Sequence, residues 1–230
     1  MADPLPGRGA SLSRQVYDTL FDRICRFDLM PFQMLSEAAL SDQLGTSRTP
    51  VREALARLSE QGLVDVLPQR GTRVAPLRVA DLERSQFMRE ALELALLRRA
   101  QERTDGAVLA ARLRDEITLQ RAYVAVRDKA RFQASDDLFH RHIATAAGAD
   151  AVMDEVARLK LHMDRFRHLM VAGLDDLDAV ILQHASIAEA IAAQNVEQAH
   201  ARMTAHLRRI FGFLDEARAR FPDYFEEAGA

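Results

Sequence analysis

The sequence predicts a mainly α protein in two parts: an N-terminal winged helix-turn-helix and, after it, an all-α antiparallel bundle of about six helices. Three observations predict it. Three short amphipathic periodicities are followed by two β-prone runs around "PQRG". No strand signal follows Leu77. From there on, long amphipathic segments alternate with short polar breaks.

Residues 1–10, "MADPLPGRGA", read as a flexible arm. The first helix is expected from Leu12 to about Phe27, with Val16, Leu20, Ile24 and Cys25 facing inward. "DLMPFQML" reads as a turn. Ser36 is placed to cap a short second helix, "EAALSDQL", which Gly45 ends. The third helix opens in "TSRTPVREALARL". Thr46, Ser47 and Thr49 are all suited to cap its first turn, and Pro50 suits an early helical position, where a missing N–H costs little. Val51, Ala54, Leu55 and Leu58 recur at helical spacing, which buries one side, and the helix runs out near Gly62. Leu63–Leu67 and Thr72–Ala75 then form a hairpin in which Gly71 is free to take positive φ.

The bundle segments are expected near 79–103, 107–128, 130–147, 150–172, 176–193 and 195–220, separated by "TDG", "DKA", "GAD", "AGLDD" and "QN". Breaks this short make neighbours antiparallel. The domains expected are thus 11–77 for the winged part and 78–222 for the bundle, with a tail at 223–230.

Composition narrows the setting. The 230 residues suffice for two modest cores, and 48% hydrophobic content with few Gly and Pro excludes a disordered chain. The single cysteine excludes an internal disulfide. With no signal-peptide pattern and no long uncharged apolar run, a cytoplasmic protein without membrane contact is expected. The net charge of −3 does not advertise nucleic acid. Up to Leu77 the arginines are matched one for one by acidic residues, so a DNA reading rests on where the arginines sit.

They sit at a helix start. Arg48 and Arg52, four apart, share a side distinct from the apolar one, and Ser47 and Thr49 stand beside them. A helix N-terminus carries partial positive charge and free N–H groups, so this end suits an anion. In a winged helix-turn-helix the helix after the turn enters the major groove by its first residues. Arg48 and Arg52 can then fork onto guanine edges or phosphates, Ser47 and Thr49 can bind phosphates or bases, and Arg70 at the hairpin tip can reach a minor groove or phosphate. Without the capping and hairpin context the same residues would read equally well as a solvated face.

A second constellation lies in the bundle. "SDDLFHRHIATAAG" places Asp136 and His140 four apart on one helix face. His184 and His206 fall at similar distances on either side of the turn at Gln194 and Asn195, so an antiparallel hairpin brings them to one level. One carboxylate and three imidazoles suit a divalent transition metal: zinc foremost, with nickel, cobalt, iron or manganese as alternatives, and with positions left for water or a ligand oxygen. Spacing alone leaves ordinary hydrogen-bonded histidines as the alternative, which is the reading for His142, His162, His168 and His200.

Taken together, "LSEAALSDQLGTSRTPVREALARLSEQGLVDVLPQRGTRV" resembles the DNA-binding domain of GntR-family bacterial transcription regulators. The helical remainder resembles the FCD ligand-binding domain of their FadR subfamily, in its six-helix VanR-like branch. The resemblance implies a homodimer on a short palindromic operator in double-stranded DNA, most often a repressor released by a small carboxylate effector. It implies DNA contacts at Ser47, Arg48, Thr49, Arg52, Arg70 and Gly71, and metal ligands at Asp136, His140, His184 and His206. "FMREALELA" resembles the first helix of the FCD domain, whose arginine helps hold the effector carboxylate; here that is Arg89, for which an ion pair with Glu93 is the alternative. Two departures stand out. Phe32 occupies a turn position where the family often has Gly, and Ala38 one where some members carry a DNA-contacting arginine.

A regulator, not an enzyme, is therefore expected. The competing readings are a metal-dependent hydrolase, for which the sequence offers no partner acid or base motif, and a DNA-binding regulator whose metal is structural or is itself the signal.

Overall fold

The computed structural model of the chain describes residues 11–170 and 175–226. The arm at 1–10, the end of the tail and most of the "AGLDD" break lie outside the described residues. The chain forms two compact units.

The first unit is built on α1 (Leu12–Cys25), β1 (Met34–Leu35), α2 (Glu37–Leu44), α3 (Arg48–Glu60), β2 (Val64–Leu67) and β3 (Gly71–Val74). Local chemistry sets the helix ends. The Ser11 hydroxyl accepts from Arg14 N–H at 3.3 Å and the Ser36 hydroxyl from Ala39 N–H at 3.4 Å, while Gly45 ends α2 in the left-handed region at φ +62°. Ser47 takes the N-cap position of α3, but its hydroxyl makes no capping bond. That side chain is therefore not spent on its own helix. Val16, Leu20, Ile24, Val51, Leu58 and Leu63 are buried to 2% exposure or less and form the core.

The sheet has three antiparallel strands in the order β1-β3-β2, one more than the two read from the sequence. β1 is only Met34 and Leu35, opposite Arg73 and Thr72, too short to show an alternating pattern. The turn before it keeps its shape without glycine. Phe32 stands at φ +65°, its N–H bonded to Val74 O at 2.9 Å and its ring 5.0 Å from the Arg73 guanidinium. A left-handed non-glycine residue costs about 1–2 kcal/mol, which the backbone bond and the cation contact offset.

The unit also includes residues 164–169 and 215–226. Leu77 pairs with Phe225 through Leu77 N–H to Tyr224 O (2.8 Å) and Glu226 N–H to Leu77 O (3.0 Å). Arg78 is held by Asp65 at 2.8 Å and Glu226 at 2.9 Å. Part of the segment read as a tail is thus an ordered strap across the end of the wing.

The second unit is helical. Its elements are α4 (Val79–Arg103, the first residues of which belong to the other unit), α5 (Gly106–Ala125), α6 (Lys129–Ala146), α7 (Ala151–Leu159), the start of α8 (Leu161–Met170), α9 (Asp175–Ala192), α10 (Val196–Arg208) and a 3₁₀ turn at Arg209–Phe213; α11 (Leu214–Arg220) follows and falls mostly in the first unit. Two of the six expected segments are interrupted. The fourth breaks at Lys160, which keeps helical dihedrals, and the last tightens into the 3₁₀ turn. Asp105, Asp128 and Asn195 cap α5, α6 and α10. Gly106 sits so close to Ile191 O that a Cβ there would collide with it, which lets the start of α5 lie against α9. Leu97, Leu113, Phe139, Ile187 and Met203 are fully buried between α4, α5, α6, α9 and α10. No described helix is long and apolar enough to cross a membrane.

Candidate metal centre and DNA-binding face

Asp136 and His140 project from one face of α6, His184 from α9 and His206 from α10. One ligating atom from each lies within 4.8 Å of all the others. Asp136, His140 and His184 are buried, while His206 keeps part of its surface exposed. The structure therefore gathers the four residues that spacing had grouped. His142 points elsewhere, with Nε2 3.4 Å from Glu116.

The orientation of the rings is the informative part. Each histidine turns Nδ1 away from the cluster toward an oxygen of a neighbouring side chain, by a hydrogen bond at His184 and His206 and by a close charge contact at His140. His184 Nδ1 meets Gln120 Oε1 at 2.9 Å, His206 Nδ1 meets Gln183 Oε1 at 3.1 Å, and His140 Nδ1 contacts Glu93 Oε2. With Nδ1 as the N–H donor, Nε2 carries the lone pair, and all three Nε2 atoms turn inward. His206 Nε2 lies 3.3 Å from His140 Nε2, and His184 Nε2 lies 3.5 Å from Asp136 Oδ1. Phe139 stacks on the His184 ring with centroids 3.8 Å apart and planes 6° from parallel, which fixes its tilt.

This arrangement fits a metal ion. His184 Nε2 is buried and makes no hydrogen bond. Donors around an ion with bonds of about 2.0–2.2 Å lie roughly 3–4 Å apart, so the widest separation in the cluster, up to 4.8 Å, has to close by about 1–2 Å. Electrostatics agree. Burial pushes the His184 imidazole down to about 3; the His140 and Arg89 charges act in the same direction and Asp136 opposes them. Burial, then His184 and His140, likewise lowers His206 well below the ordinary histidine value. Both rings are neutral at pH 7, the form that binds metal.

Arg89 is 2% exposed, and its Nε binds Glu93 Oε1 at 2.6 Å. The ion pair with Glu93 weighed from the sequence is present, but it is buried rather than on the helix surface. Burial alone would raise the Glu93 carboxyl; Arg89 and His140 outweigh it and hold the group below the usual carboxylate range. Gln120, Gln183 and Phe139, and the contact of Glu93 with His140, are what sequence reasoning missed. Glu93 and Gln120 each stand as a polar residue on the buried register of their helix, and that is the one signal that marked them.

On the other unit, Ser47, Arg48, Thr49 and Arg52 are exposed at the start of α3. Arg52 forks onto Glu37 of α2, with Nη2 2.9 Å and Nε 3.2 Å from the carboxylate. The hydrogen bond from Arg52 lowers the Glu37 carboxyl. The guanidinium is thus held at the helix start before any partner arrives. Arg70 and Gly71 are exposed at the wing turn, with Gln69 at φ +60° and Gly71 at φ +100°.

Comparison with known proteins agrees with both halves. Residues 12–74 match the model of bacterial regulatory proteins of the gntR family, and residues 86–209 match the FCD domain. An uncharacterized HTH-type transcriptional regulator in an unstable DNA locus of Streptomyces ambofaciens is 36% identical over 94% of this chain and 91% of its own length. The HTH-type transcriptional repressor RspR of Escherichia coli K12 is 29% identical over 94% of each chain. Among solved structures, Escherichia coli McbR/YncC superposes with a TM-score of 0.67 at 23% identity, over 90% of this chain and 99% of its own, which supports the fold. The chain belongs to the GntR family of bacterial transcription regulators and carries an FCD domain; it is a DNA-binding transcriptional regulator.

Proposed function

We propose that the chain is a metal-dependent repressor released by a small carboxylate. Residues 11–77 read the operator and residues 78–222 bind the effector and dimerise. A homodimer sets two α3 helices about one turn of DNA apart on a palindromic site. Ser47, Arg48, Thr49 and Arg52 contact the major groove, while Arg70 and Gly71 meet the backbone or the neighbouring groove. Asp136, His140, His184 and His206 hold a divalent metal, zinc foremost. Once bound, the metal supplies coordination positions for an anionic oxygen. Arg89, tied to Glu93 one turn on, adds positive charge that favours a carboxylate at the same site.

The observation that carries this reading is the inward convergence of three Nε2 atoms and one carboxylate, with each imidazole held from behind. The buried His184 Nε2, which makes no hydrogen bond, is an atom that a metal at this point would satisfy. The effector must bind the two arrangements of the bundle unequally, with a typical coupling of about 1–3 kcal/mol.

The test is a thermal-shift screen of the full chain against mono-, di- and tricarboxylates and sugar acids, with and without a chelator, followed by operator binding with each hit. A carboxylate at a hundred times its Kd adds roughly 2.7 kcal/mol, a shift of several degrees. The expected hit disappears on chelation and weakens DNA binding. A carboxylate that stabilises metal-free and metal-loaded protein equally would separate effector from metal. A protein in which chelation alone abolishes DNA binding would make the metal itself the signal.

A further inference from the structure

Among the described residues, the four candidate ligands come from α6, α9 and α10, and none from α4. Yet α4 is the helix into which the chain passes on leaving the wing: Val79–Asp81 belong to the first unit and the rest of the helix to the second. One side chain links α4 to the cluster. Glu93 offers Oε2 to His140 Nδ1 and Oε1 to Arg89 Nε. Both of these α4 residues are 3% exposed or less. The other two histidines lean on neutral amides, Gln120 and Gln183, so Glu93 is the one charged acceptor of the three.

We infer that Glu93 is a positioning residue of the metal centre, and that through it metal occupancy holds α4 in place. The inference rests on the metal-centre reading above and adds a component to it. A carboxylate behind an imidazole fixes the tautomer that presents Nε2 and makes that nitrogen a stronger donor. The linkage runs both ways. An ion drawing on the His140 lone pair would make Nδ1–H a better donor, which would favour a hydrogen bond where His140 now only touches Glu93, and so tie in α4. Arg89 keeps the carboxylate in register and balances its charge in the interior. A metal bound by three other helices thereby restrains the helix that continues from the winged unit without taking a ligand from it.

The experiment compares the full chain with Glu93→Gln and with the double variant Arg89→Met/Glu93→Gln. Glu93→Gln keeps an acceptor for His140 but removes the charge. The double variant also removes the arginine that would otherwise be stranded, so it decides the matter if the single variant fails to fold. Zn²⁺ affinity is read by competition with a chelator, ligand geometry by the Co²⁺ absorption spectrum, and restraint of α4 by amide exchange. In both variants we expect Zn²⁺ to bind 10–100-fold more weakly, a typical result of losing an outer partner. The Co²⁺ bands should shift, and metal should no longer slow exchange over 86–100 while still slowing it in α6, α9 and α10. Folded variants with wild-type Zn²⁺ affinity, an unchanged Co²⁺ spectrum and unchanged metal-dependent protection of α4 would overturn the inference and leave the metal centre standing. A wild-type chain that takes up neither ion would overturn both.

Discussion

The two units bury polar groups to opposite effect. In the bundle, Arg89, Glu93, Asp136, His140 and His184 are each 5% exposed or less, and they face one another in a chain of complementary contacts. In the winged unit, Arg165 is fully buried, and no atom of the described residues hydrogen-bonds its guanidinium nitrogens; the Phe27 ring lies 5.4 Å away, and Cys25, Arg78 and Asp65 are the ionisable groups that act on it. The groups proposed to meet DNA, Ser47, Arg48, Thr49 and Arg52, are exposed. Burial of a polar side chain marks function only where the neighbours are arranged to share its charge. In the bundle they are, and the desolvation of several groups would serve the one metal site proposed there. At Arg165 they are not, and the same burial is a cost.

The sharpest break of this contrast is His184→Ala. It takes the ligand that lies deepest, at 0% exposure, and leaves Gln120 and Phe139 facing a gap. We expect bound metal, counted on the purified protein, to fall to near zero. A metal present at a thousand times its Kd contributes about 4 kcal/mol to the native state, so the melting temperature should drop by far more than a surface substitution would cause. Full stoichiometry in this variant would mean that the four side chains are not one site.

Arg52→Ala tests the exposed side of the contrast. Its ion pair with Glu37 is solvent-exposed, and exposed pairs add little to stability, so the fold and the metal content should be unchanged. Operator binding should lose about 1–3 kcal/mol, or tenfold to a hundredfold, measured by anisotropy against a scrambled duplex. Equal losses on both duplexes would place Arg52 on phosphates rather than bases.

The same contrast explains what was legible in the sequence. The helix ends at Ser36 and Gly45 depend on one or two residues, and they were readable because a cap is a local event; the breaks at "TDG" and "QN" were read as well, though not that Asp105 and Asn195 cap the helices that follow. The exposed face at the start of α3 was readable because exposure leaves spacing as the only constraint. The four-residue cluster was readable, since two pairs of spacings bring Asp136, His140, His184 and His206 to one level. Its outer partners were not. Gln120 and Gln183 are 64 and 23 residues from the histidines they hold, and no local pattern ties an amide to a ring across that distance. β1 escaped notice because two residues cannot display a period, and the strap at Leu77–Phe225 because its pairing is a tertiary event between the wing and the end of the chain.

Arg165→Met probes the uncompensated burial. Burial pushes the guanidinium down to about 10, still charged at neutral pH. A thioether of similar length needs no acceptor, and exchanging buried charge for apolar volume is often neutral or stabilising. We expect a gain of about 1–2 kcal/mol in urea unfolding. A comparable loss would reveal that Arg165 has a partner in solution, and the contrast drawn here would fail at that point.

The smallest effect belongs to Cys25, beside it. Burial pushes the thiol up to about 12, with Arg165 pulling weakly the other way. In the unfolded chain it ionises near 9.0. A group whose native pKa is raised contributes its full stability below the unfolded value and loses it as pH climbs toward the native one. The wild-type chain should therefore lose stability faster than Cys25→Ala above pH 9, by up to ~1.4 kcal/mol for each pH unit, whatever constant offset the missing sulfur introduces. Urea midpoints at pH 8, 9 and 10 for the two proteins isolate that slope from the other groups that titrate there. Parallel slopes would mean that water reaches the thiol. Alkylation of Cys25 in the native state should then be fast as well, and the interior around Arg165 would be wet, which would supply the acceptors that the protein itself does not.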